Sequence, residues 1–224
     1  MTGPRTLLDL SHRIADGTVT YPGLPEPRIR VHTSRESSLA ALGTGASFEI
    51  GAIDMVANTG TYVDTPAHFY ADGADLAGVA LAGLADLPGR TVRCAGTGPI
   101  GPDRIAGYDL AGAAVIFATG WSARFGTPAY GDPDAPFLAA ETVAALVAAG
   151  PALVGIDSVN IDDRADPARP AHVGLLRAGI PIVEHLTNLA ALPDDGYRFT
   201  AAPPMIAGLA TFPVRAFALV PAGA

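Results

Sequence analysis

Three short apolar runs in the second half of the chain constrain its fold more than any other feature. Residues 113–118 and 152–156 are almost entirely apolar, and residues 180–183 are similar. Strands that are covered on both faces have this composition, whereas strands with one face in water alternate apolar and polar residues. The runs therefore predict central strands of a sheet with layers packed on both sides.

Two helical segments separate these runs. Residues 138–149 are rich in Ala, Leu and Val and stop at Gly150, and residues 172–178 stop at Gly179. Glycine is favoured just after the last helical residue because it adopts a positive φ without strain. The order helix, strand, helix, strand therefore predicts parallel strands joined by crossover helices in this part of the chain.

Alternating runs occur elsewhere. Residues 28–32, 47–50 and 214–220 alternate apolar and polar side chains, which is typical of half-buried strands. The connections between these strands resemble turns, which favours antiparallel pairing. Together the patterns predict an α/β fold, a single domain over residues 1–224 with a large mixed β-sheet and few helices.

The composition excludes several classes of partner. The chain has 14 basic and 22 acidic residues, a formal charge of −8 and no Lys/Arg cluster, so we expect neither nucleic acid nor an anionic membrane surface as a partner. No apolar stretch is long enough to span a bilayer, and residues 1–10 lack a signal-peptide pattern. The only cysteine, Cys94, fits a reducing compartment. We therefore expect a cytoplasmic protein with Cys94 buried in its core.

The segment 58–68, Asn-Thr-Gly-Thr-Tyr-Val-Asp-Thr-Pro-Ala-His, is the strongest candidate for chemistry. Alternate residues of an extended chain share one face, which groups Asn58, Tyr62 and Asp64. A proline then turns the chain, so that His68 returns towards Asp64. A carboxylate beside an imidazole is a usable general-base unit. From the residues alone, a turn-capping Asp64 and a surface His68 remain the alternative.

This segment resembles the His-x-Gly-Thr-His-x-Asp-x-Pro-x-His signature of the cyclase family, which includes metal-dependent kynurenine formamidases and isatin hydrolases. Other landmarks of that family follow in matching order: Asp9-Leu10-Ser11-His12, Tyr21-Pro22-Gly23, Thr119-Gly120-Trp121, Val154-Gly155-Ile156-Asp157, residues 182–189 and Phe212-Pro213-Val214-Arg215-Ala216. The resemblance implies a swivelling β/β/α-type cyclase fold and a homodimer or a higher homo-oligomer.

The match to the signature is incomplete at two positions. Asn58 and Tyr62 stand where the metal-dependent members have histidine ligands. The resemblance implies that the remaining ligands of a zinc or manganese ion are Asp64, His172 and Glu184, since the last two have the family's spacing of twelve residues. The oxygen-rich remainder favours manganese or magnesium. An ion pair between His172 and Glu184 in place of the metal is the alternative.

Predicted substrate-binding residues surround this centre: Asn58, Phe69, Trp121 and Asp157. Asp157 follows a buried strand, and ligands of α/β sheets gather where strands end. Trp121 and Phe69 are candidates for an aromatic pocket together with Tyr62. A tryptophan in this context is also typical of a core, so a structural role for Trp121 stays open.

Two long irregular segments, 121–136 and 157–170, are further candidates, because loops of this length in a compact domain are often functional. We interpret Asp162 and Asp163 in the second segment as loop residues. Tyr21 is expected to border the site, either of its own chain or of a neighbouring subunit.

Three functions are compatible with these residues. The first is an arylformamidase-like hydrolase of a small amide, formamide or lactone, in which Asp64 and His68 activate water while His172 and Glu184 hold a metal or the substrate. The second is a metal-free cyclase, dehydratase or isomerase with Tyr62 as proton donor or oxyanion partner. The third is a non-catalytic binder of small molecules. No Gly-x-Ser-x-Gly motif supports a serine hydrolase, and no Walker A sequence is present.

Overall fold

One large sheet and two small ones organise the chain in the computed structural model, which describes residues 5–222. The strands are β1 (Arg5–Asp9), β2 (Arg28–Thr33), β3 (Ile50–Asp54), β4 (Tyr62–Asp64), β5 (Leu87–Arg93), β6 (Pro99–Ile100), β7 (Ala114–Ala118), β8 (Phe137–Leu138), β9 (Leu153–Ile156), β10 (Ile182–Glu184), β11 (Arg198–Thr200), β12 (Thr211–Pro213) and β13 (Phe217–Pro221). The α-helices within the described range are α1 (Arg35–Leu42), α2 (Ala140–Ala149) and α3 (Pro170–Arg177).

The large sheet has a parallel centre and antiparallel flanks. Its strand order is β1-β13-β11-β5-β7-β9-β10-β4-β12. The pairs β5–β7, β7–β9 and β9–β10 are parallel, and the outer pairs are antiparallel. The predicted α/β fold with a large mixed sheet and few helices is confirmed, as is the parallel pairing of β9 and β10 across helix α3.

The apolar runs form the centre of the sheet because both faces are covered. Ile116 of β7 packs in a core cluster on one side of the sheet, while its neighbours Val115 and Phe117 pack in a second cluster on the other side. Burial of each such side chain stabilises the fold by about 1.5–3 kcal/mol. Cys94 lies buried in the second cluster, which confirms its predicted core position.

The remaining differences lie at element ends and in one exposed helix. The strand predicted over 47–50 is β3, which begins at Ile50. Helix α1 was not predicted, although Ser34 caps its first turn and Gly43 ends it at φ 63°. Its Ser- and Ala-rich sequence has almost no apolar periodicity, so the two capping residues are the main sequence signal for this helix.

The two predicted helices are present with shifted starts. Helix α2 begins at Ala140 because the residues before it, Phe137 and Leu138, pair as strand β8. Helix α3 begins two residues earlier than predicted, at Pro170, since proline fits the first helical position, where its missing N–H has no partner to lose.

None of the described helices has the length and apolarity needed to cross a membrane. Residues 1–4 and 223–224 lie outside the described part of the chain. The first four of residues 1–10, for which no signal peptide is predicted, lie outside the described residues. The domain bounds of 1–224 stay a prediction.

Candidate active site

A cleft of about 310 Å³ opens where β4, β10 and the start of α3 meet. This volume is at the small end of the range of about 300–1,000 Å³ that small-molecule sites occupy. Its lining residues are Tyr21, Leu24, Asn58, Tyr62, His68, Phe69, Asn160, Arg169, His172 and Glu184. Most residues of the predicted site are therefore brought together.

The pairing of β4 with β10 places Tyr62 directly opposite Glu184. The Tyr62 hydroxyl donates to Glu184 Oε2 at 2.6 Å, and the Ile161 amide donates to Glu184 Oε1 at 2.7 Å. Burial raises the pKa of Glu184, and the nearby charge of His172 and these two hydrogen bonds counteract part of that rise. Both oxygens of Glu184 are thus already engaged by neutral donors.

A buried hydrogen-bond chain continues from Tyr62 into the protein. His185 Nε2 lies 3.2 Å from the Tyr62 hydroxyl, and His185 Nδ1 lies 2.7 Å from the Tyr130 hydroxyl. The single Tyr62 proton goes to Glu184, so Tyr62 accepts from His185 Nε2–H, which leaves a lone pair on Nδ1. The Tyr130 hydroxyl faces two acceptors, Nδ1 at 2.7 Å and the Ser158 carbonyl at 3.1 Å, and the shorter contact assigns its proton to Nδ1. This arrangement needs a neutral imidazole, and burial lowers the pKa of His185 to about 3. We call Tyr62, Glu184, His185 and Tyr130 the Tyr62 network.

Asp64 is fully buried and has one satisfied oxygen. Thr211, its cross-strand neighbour in β12, donates to Asp64 Oδ1 at 2.6 Å. Oδ2 has no hydrogen-bond partner within the described structure. His172 Nε2 lies 3.7 Å from Oδ2, and His68 Nε2 lies 3.8 Å from Oδ1. The turn after β4 thus returns His68 to Asp64, as the sequence predicted.

Thr211 also sets the tautomer of His68. Its hydroxyl lies 3.3 Å from His68 Nδ1. Because the hydroxyl proton already goes to Asp64, Thr211 accepts from His68 Nδ1–H, which leaves a lone pair on His68 Nε2. That nitrogen is therefore the basic atom of the ring, and the His68 side chain, 30 % exposed, can meet a substrate.

Asp162 holds His172 from behind. Its carboxylate accepts from the Ala171 and His172 amides at 2.6 and 3.1 Å and lies 2.6 Å from His172 Nδ1. Burial lowers the pKa of His172, but the hydrogen bond to Asp162 and the nearby carboxylates of Asp64 and Glu184 outweigh burial and raise it to about 10. Asp162 lies in a loop, as predicted, and it also supports His172, which the sequence did not indicate. We call Asp64, His68, Thr211, His172 and Asp162 the Asp64 network.

The donors of this network fit a divalent cation. Ligand atoms of Asp64, His68 and His172 all lie within 4.8 Å of one another. Oδ2 of Asp64 accepts no hydrogen bond within the described structure, and a carboxylate on Nδ1 of a histidine is the usual support of a metal ligand. Glu184 is not part of this group, and its role as a metal ligand stays a prediction.

Tyr62, which stands where the family resemblance predicts a histidine ligand, is a poor metal ligand. A tyrosine oxygen must ionise to bind zinc or manganese well. Burial and the negative charges of Glu184 and Asp64 raise the pKa of Tyr62 well above its usual value, so the phenol stays neutral. The position therefore acts as a hydrogen-bond donor.

Two of the predicted substrate-binding residues line the cleft. Phe69 stacks on His172 with ring centroids 5.0 Å apart and meets His68 edge-on at 5.3 Å. Asn58 lies on the same wall as Tyr62. The aromatic wall therefore consists of Phe69, Tyr62 and Tyr21, the last from the same chain.

The structure does not bring the other two predicted substrate-binding residues to the cleft. Trp121 is 4 % exposed, and its Nε1 donates to the Tyr130 carbonyl at 2.9 Å, as expected of a core residue. The Asp157 carboxylate accepts from the Thr119 and Gly120 amides at 2.7 and 2.9 Å. It therefore anchors that turn and is not free to contact a substrate.

Sequence reasoning missed several residues of the site, in particular Thr211, Asp162, His185, Asn160 and Arg169. Thr211 and His185 lie within the family landmarks or beside them, but only strand pairing shows what they touch. Asn160 and Arg169 belong to the segment 157–170, whose length was the one available signal.

Comparisons with known proteins cover nearly the whole chain. The family model described as "Putative cyclase" matches residues 8–163. The kynurenine formamidase of Salinibacter ruber is 30% identical over 213 residues, which are 94% of this chain and 95% of that protein. A solved structure described as a potential metal-dependent hydrolase with cyclase activity is 26% identical, with a TM-score of 0.79 over 97% of this chain and 98% of that one. Isatin hydrolase A from Labrenzia aggregata is 23% identical, with a TM-score of 0.83 over 97% and 94%, and shows the shared fold.

Proposed function

The chain belongs to the cyclase family, and from this premise we propose that it is an enzyme that hydrolyses a small amide. The observation that carries the proposal is the basic Nε2 of His68, beside Asp64, at the wall of the cleft. The name of the formamidase relative supports an amide as the bond that is broken. A formamide is the preferred substrate type, and a lactone is the second.

His68 handles the proton in this proposal. Its Nε2 takes a proton from water as the water oxygen attacks the carbonyl carbon, and the negative charge of Asp64 stabilises the imidazolium that forms. The imidazolium then gives this proton to the leaving nitrogen as the C–N bond breaks. Acid and amine are released, and His68 returns to its neutral form.

Asp64 and His172 would hold a divalent cation, manganese or zinc. Such a cation, when bound, polarises the carbonyl oxygen and lowers the pKa of a bound water. His68 is the third donor within reach, but a ring nitrogen that binds a cation cannot also accept a proton, so we assign the proton to His68. Asp162 fixes the ring of His172 whether or not a cation is bound.

Hydrolysis of formanilide tests this function. We expect formate release by the purified protein, stimulated by added manganese or zinc and reduced by a chelator. His68→Ala should lower kcat/KM at least 100-fold, since a general base contributes about 10²–10⁴-fold. His32→Ala, on the exposed face of β2, is the matched control and should act like the wild type. Equal activity of His68→Ala and wild type would remove His68 from the mechanism.

A metal-free cyclase, dehydratase or isomerase is the second candidate. The Tyr62–Glu184 pair favours it, because a buried phenol that donates at 2.6 Å can serve as a proton donor. Tyr62→Phe should then abolish turnover of metal-free protein while formanilide hydrolysis by metal-loaded protein persists. Turnover of metal-free protein that survives the substitution would eliminate this candidate.

We also propose a homodimer, formed through the arm that β2, α1 and β3 make. Among the strands of residues 5–222, β2 and β3 pair with each other alone, and their apolar side chains face solvent: Ile29, Val31, Ile50 and Ile53 are about half exposed. Contiguous exposed apolar patches on a soluble protein usually mark an interface. Light scattering should give twice the monomer mass for wild type and the monomer mass for Ile29→Ser/Ile53→Ser, which changes a cross-strand pair. A monomeric wild type would overturn the dimer.

The cytoplasm is the compartment we propose for this enzyme. Cys94 is buried, and burial raises the pKa of its thiol to about 12, so it is kept as an unreactive thiol. Fractionation of cells that express the protein should recover it with cytoplasmic markers. Recovery with exported proteins would contradict this location.

A further inference from the structure

Arg169 occupies a strained position at the rim of the cleft. Its φ of 46° and ψ of 56° lie in the left-handed region, just before Pro170 starts helix α3. That conformation costs a residue with a Cβ roughly 1–2 kcal/mol. Strain of this kind concentrates at functional sites, where the surroundings maintain it. Here it accompanies a guanidinium that lines the cleft beside His172.

The guanidinium has only neutral partners. Nη1 donates to Asn160 Oδ1 at 3.3 Å, and Nη2 donates to the Arg164 carbonyl at 3.4 Å. Within residues 5–222, no carboxylate lies at ion-pair distance from Arg169. An arginine has five N–H donors, so most of them remain for a ligand. A half-buried, uncompensated cation in a binding cleft favours an anionic ligand.

Asn160 extends the same donor surface. Its Oδ1 accepts from both Arg169 Nη1 and the Asp162 amide, the latter at 2.9 Å, which fixes the orientation of the side-chain amide. The Nδ2 group donates to no residue in the part of the chain that the structure describes, and Asn160 lines the cleft. The planar guanidinium of Arg169 and the adjacent side-chain amide of Asn160 therefore line the same cleft.

We propose that Arg169 and Asn160 form a carboxylate-binding subsite, so that the substrate is a small amide that also carries a free carboxylate. The inference rests on the proposed amide hydrolysis at Asp64 and His68. The guanidinium fork matches the two oxygens of a carboxylate. One guanidinium and one amide suit a monoanion better than a dianionic phosphate. Phe69 and Leu24 add apolar surface to the same cleft.

Binding of benzoate and of its neutral analogue benzamide tests the subsite without turnover. Calorimetric titration is done with chelator present, so that a bound cation cannot hold the carboxylate. We expect wild type to bind benzoate at least tenfold more tightly than benzamide. Arg169→Gln should remove this preference, and Arg169→Lys should keep only part of it. Arg198→Gln, on the exposed pair with Asp86, is the matched control and should bind as wild type does.

The outcomes separate the subsite from the proposed reaction. Equal binding of benzoate and benzamide by wild type, or undiminished benzoate binding by Arg169→Gln, overturns the subsite. Inorganic phosphate bound more tightly than benzoate overturns the choice of a carboxylate. If Arg169→Gln does not fold by circular dichroism, Arg169→Lys decides: benzoate affinity equal to wild type overturns the subsite, and a loss of threefold or more supports it.

Turnover of 3-formamidobenzoate and formanilide then tests the substrate class. We expect wild type to prefer the carboxylate by about tenfold in KM, and Arg169→Gln to lose that preference with little change in kcat. If benzoate binding depends on Arg169 but neither compound is hydrolysed, the subsite stands and the amide-hydrolase function fails. If both are hydrolysed with equal KM, the function stands and the subsite fails.

Discussion

The Asp64 network and the Tyr62 network start two residues apart on one face of β4, yet they differ in how their polar groups are satisfied. In the Asp64 network one buried carboxylate oxygen accepts no hydrogen bond from residues 5–222, and two imidazoles lie within 3.8 Å of the carboxylate. In the Tyr62 network both carboxylate oxygens and the central imidazole have partners. Buried polar groups are nearly always paired, so the unpaired one indicates where a ligand belongs.

The difference follows from one side chain. The phenol of Tyr62 is long enough to cross to the neighbouring strand and donate to Glu184 at 2.6 Å. Glu184 is engaged in this hydrogen bond and is not part of the donor group of Asp64, His68 and His172. The family resemblance predicted a metal ligand at Glu184, and the substitution at Tyr62 explains why the described geometry assigns Glu184 to a hydrogen-bond network.

The largest expected effect comes from Asp64→Asn. This change removes the charge that faces both imidazoles, so kcat/KM for formanilide should fall by about 10³-fold, equivalent to about 4 kcal/mol of transition-state stabilisation. Asp163→Asn, one residue beyond the Asp64 network, is the matched control and should retain activity. A loss below tenfold for Asp64→Asn would mean that the unpaired oxygen is not part of the chemistry.

Asp162→Asn should have the next largest effect. The carboxylate that holds His172 Nδ1 is removed while the side-chain size is kept. We expect a 10- to 100-fold loss of metal affinity or activity, the usual effect of losing such a support. The pKa of His172, now about 10, should fall by an amount that NMR titration can measure. An unchanged pKa would show that Asp64 alone sets the charge of His172.

These two residues also show what a sequence can predict here. The apolar runs predicted the central strands because burial on both faces requires consecutive apolar residues. The turn after Asp64 predicted the position of His68 because His68 is only four residues from Asp64. Thr211 contacts Asp64 from 147 residues away. Asp162 reaches His172 over a ten-residue loop with no regular period. Contacts of this kind depend on strand order and loop path, which local patterns do not encode.

The double variant Asn58→His/Tyr62→His should replace the hydrogen bonds of the Tyr62 network with a metal site. It restores the imidazoles that the resemblance places there and frees Glu184. We expect metal analysis after dialysis to find one more equivalent of zinc or manganese per chain than in wild type. Loss of the Tyr62 hydrogen bonds should lower the free energy of unfolding by about 1–3 kcal/mol without metal.

Asn58→His/Tyr62→Phe is the control for that variant, because it frees Glu184 but adds only one imidazole. It should bind no additional equivalent. If wild type already binds two equivalents, Tyr62 does not exclude a second metal and the contrast between the networks is incorrect.

The pH dependence of stability should also separate His185 of the Tyr62 network from His172 of the Asp64 network, because the two imidazoles act on it in opposite directions. Burial raises the pKa of Glu184 to about 7, so Glu184 opposes the contribution of His185 below pH 7. His185 has a folded-state pKa of about 3, below its ordinary value of 6.5, so its contribution is present above pH 6.5 and is lost as the pH falls towards 3. His172 has a folded-state pKa of about 10, so its contribution is present below pH 6.5 and is lost as the pH rises towards 10. Each slope should approach about 1.4 kcal/mol per pH unit.

Urea unfolding of metal-free protein at pH 5, 7 and 9 measures both slopes. His185→Gln keeps a donor towards Tyr62 and an acceptor towards Tyr130 but does not titrate. It should therefore gain less unfolding free energy than wild type between pH 5 and pH 7, and behave as wild type does between pH 7 and pH 9. Asp162→Asn should flatten the alkaline side alone. If His185→Gln left the acid slope intact, the imidazole between the two phenols would not be held neutral, and the one-way direction of the Tyr62 hydrogen-bond chain would be wrong.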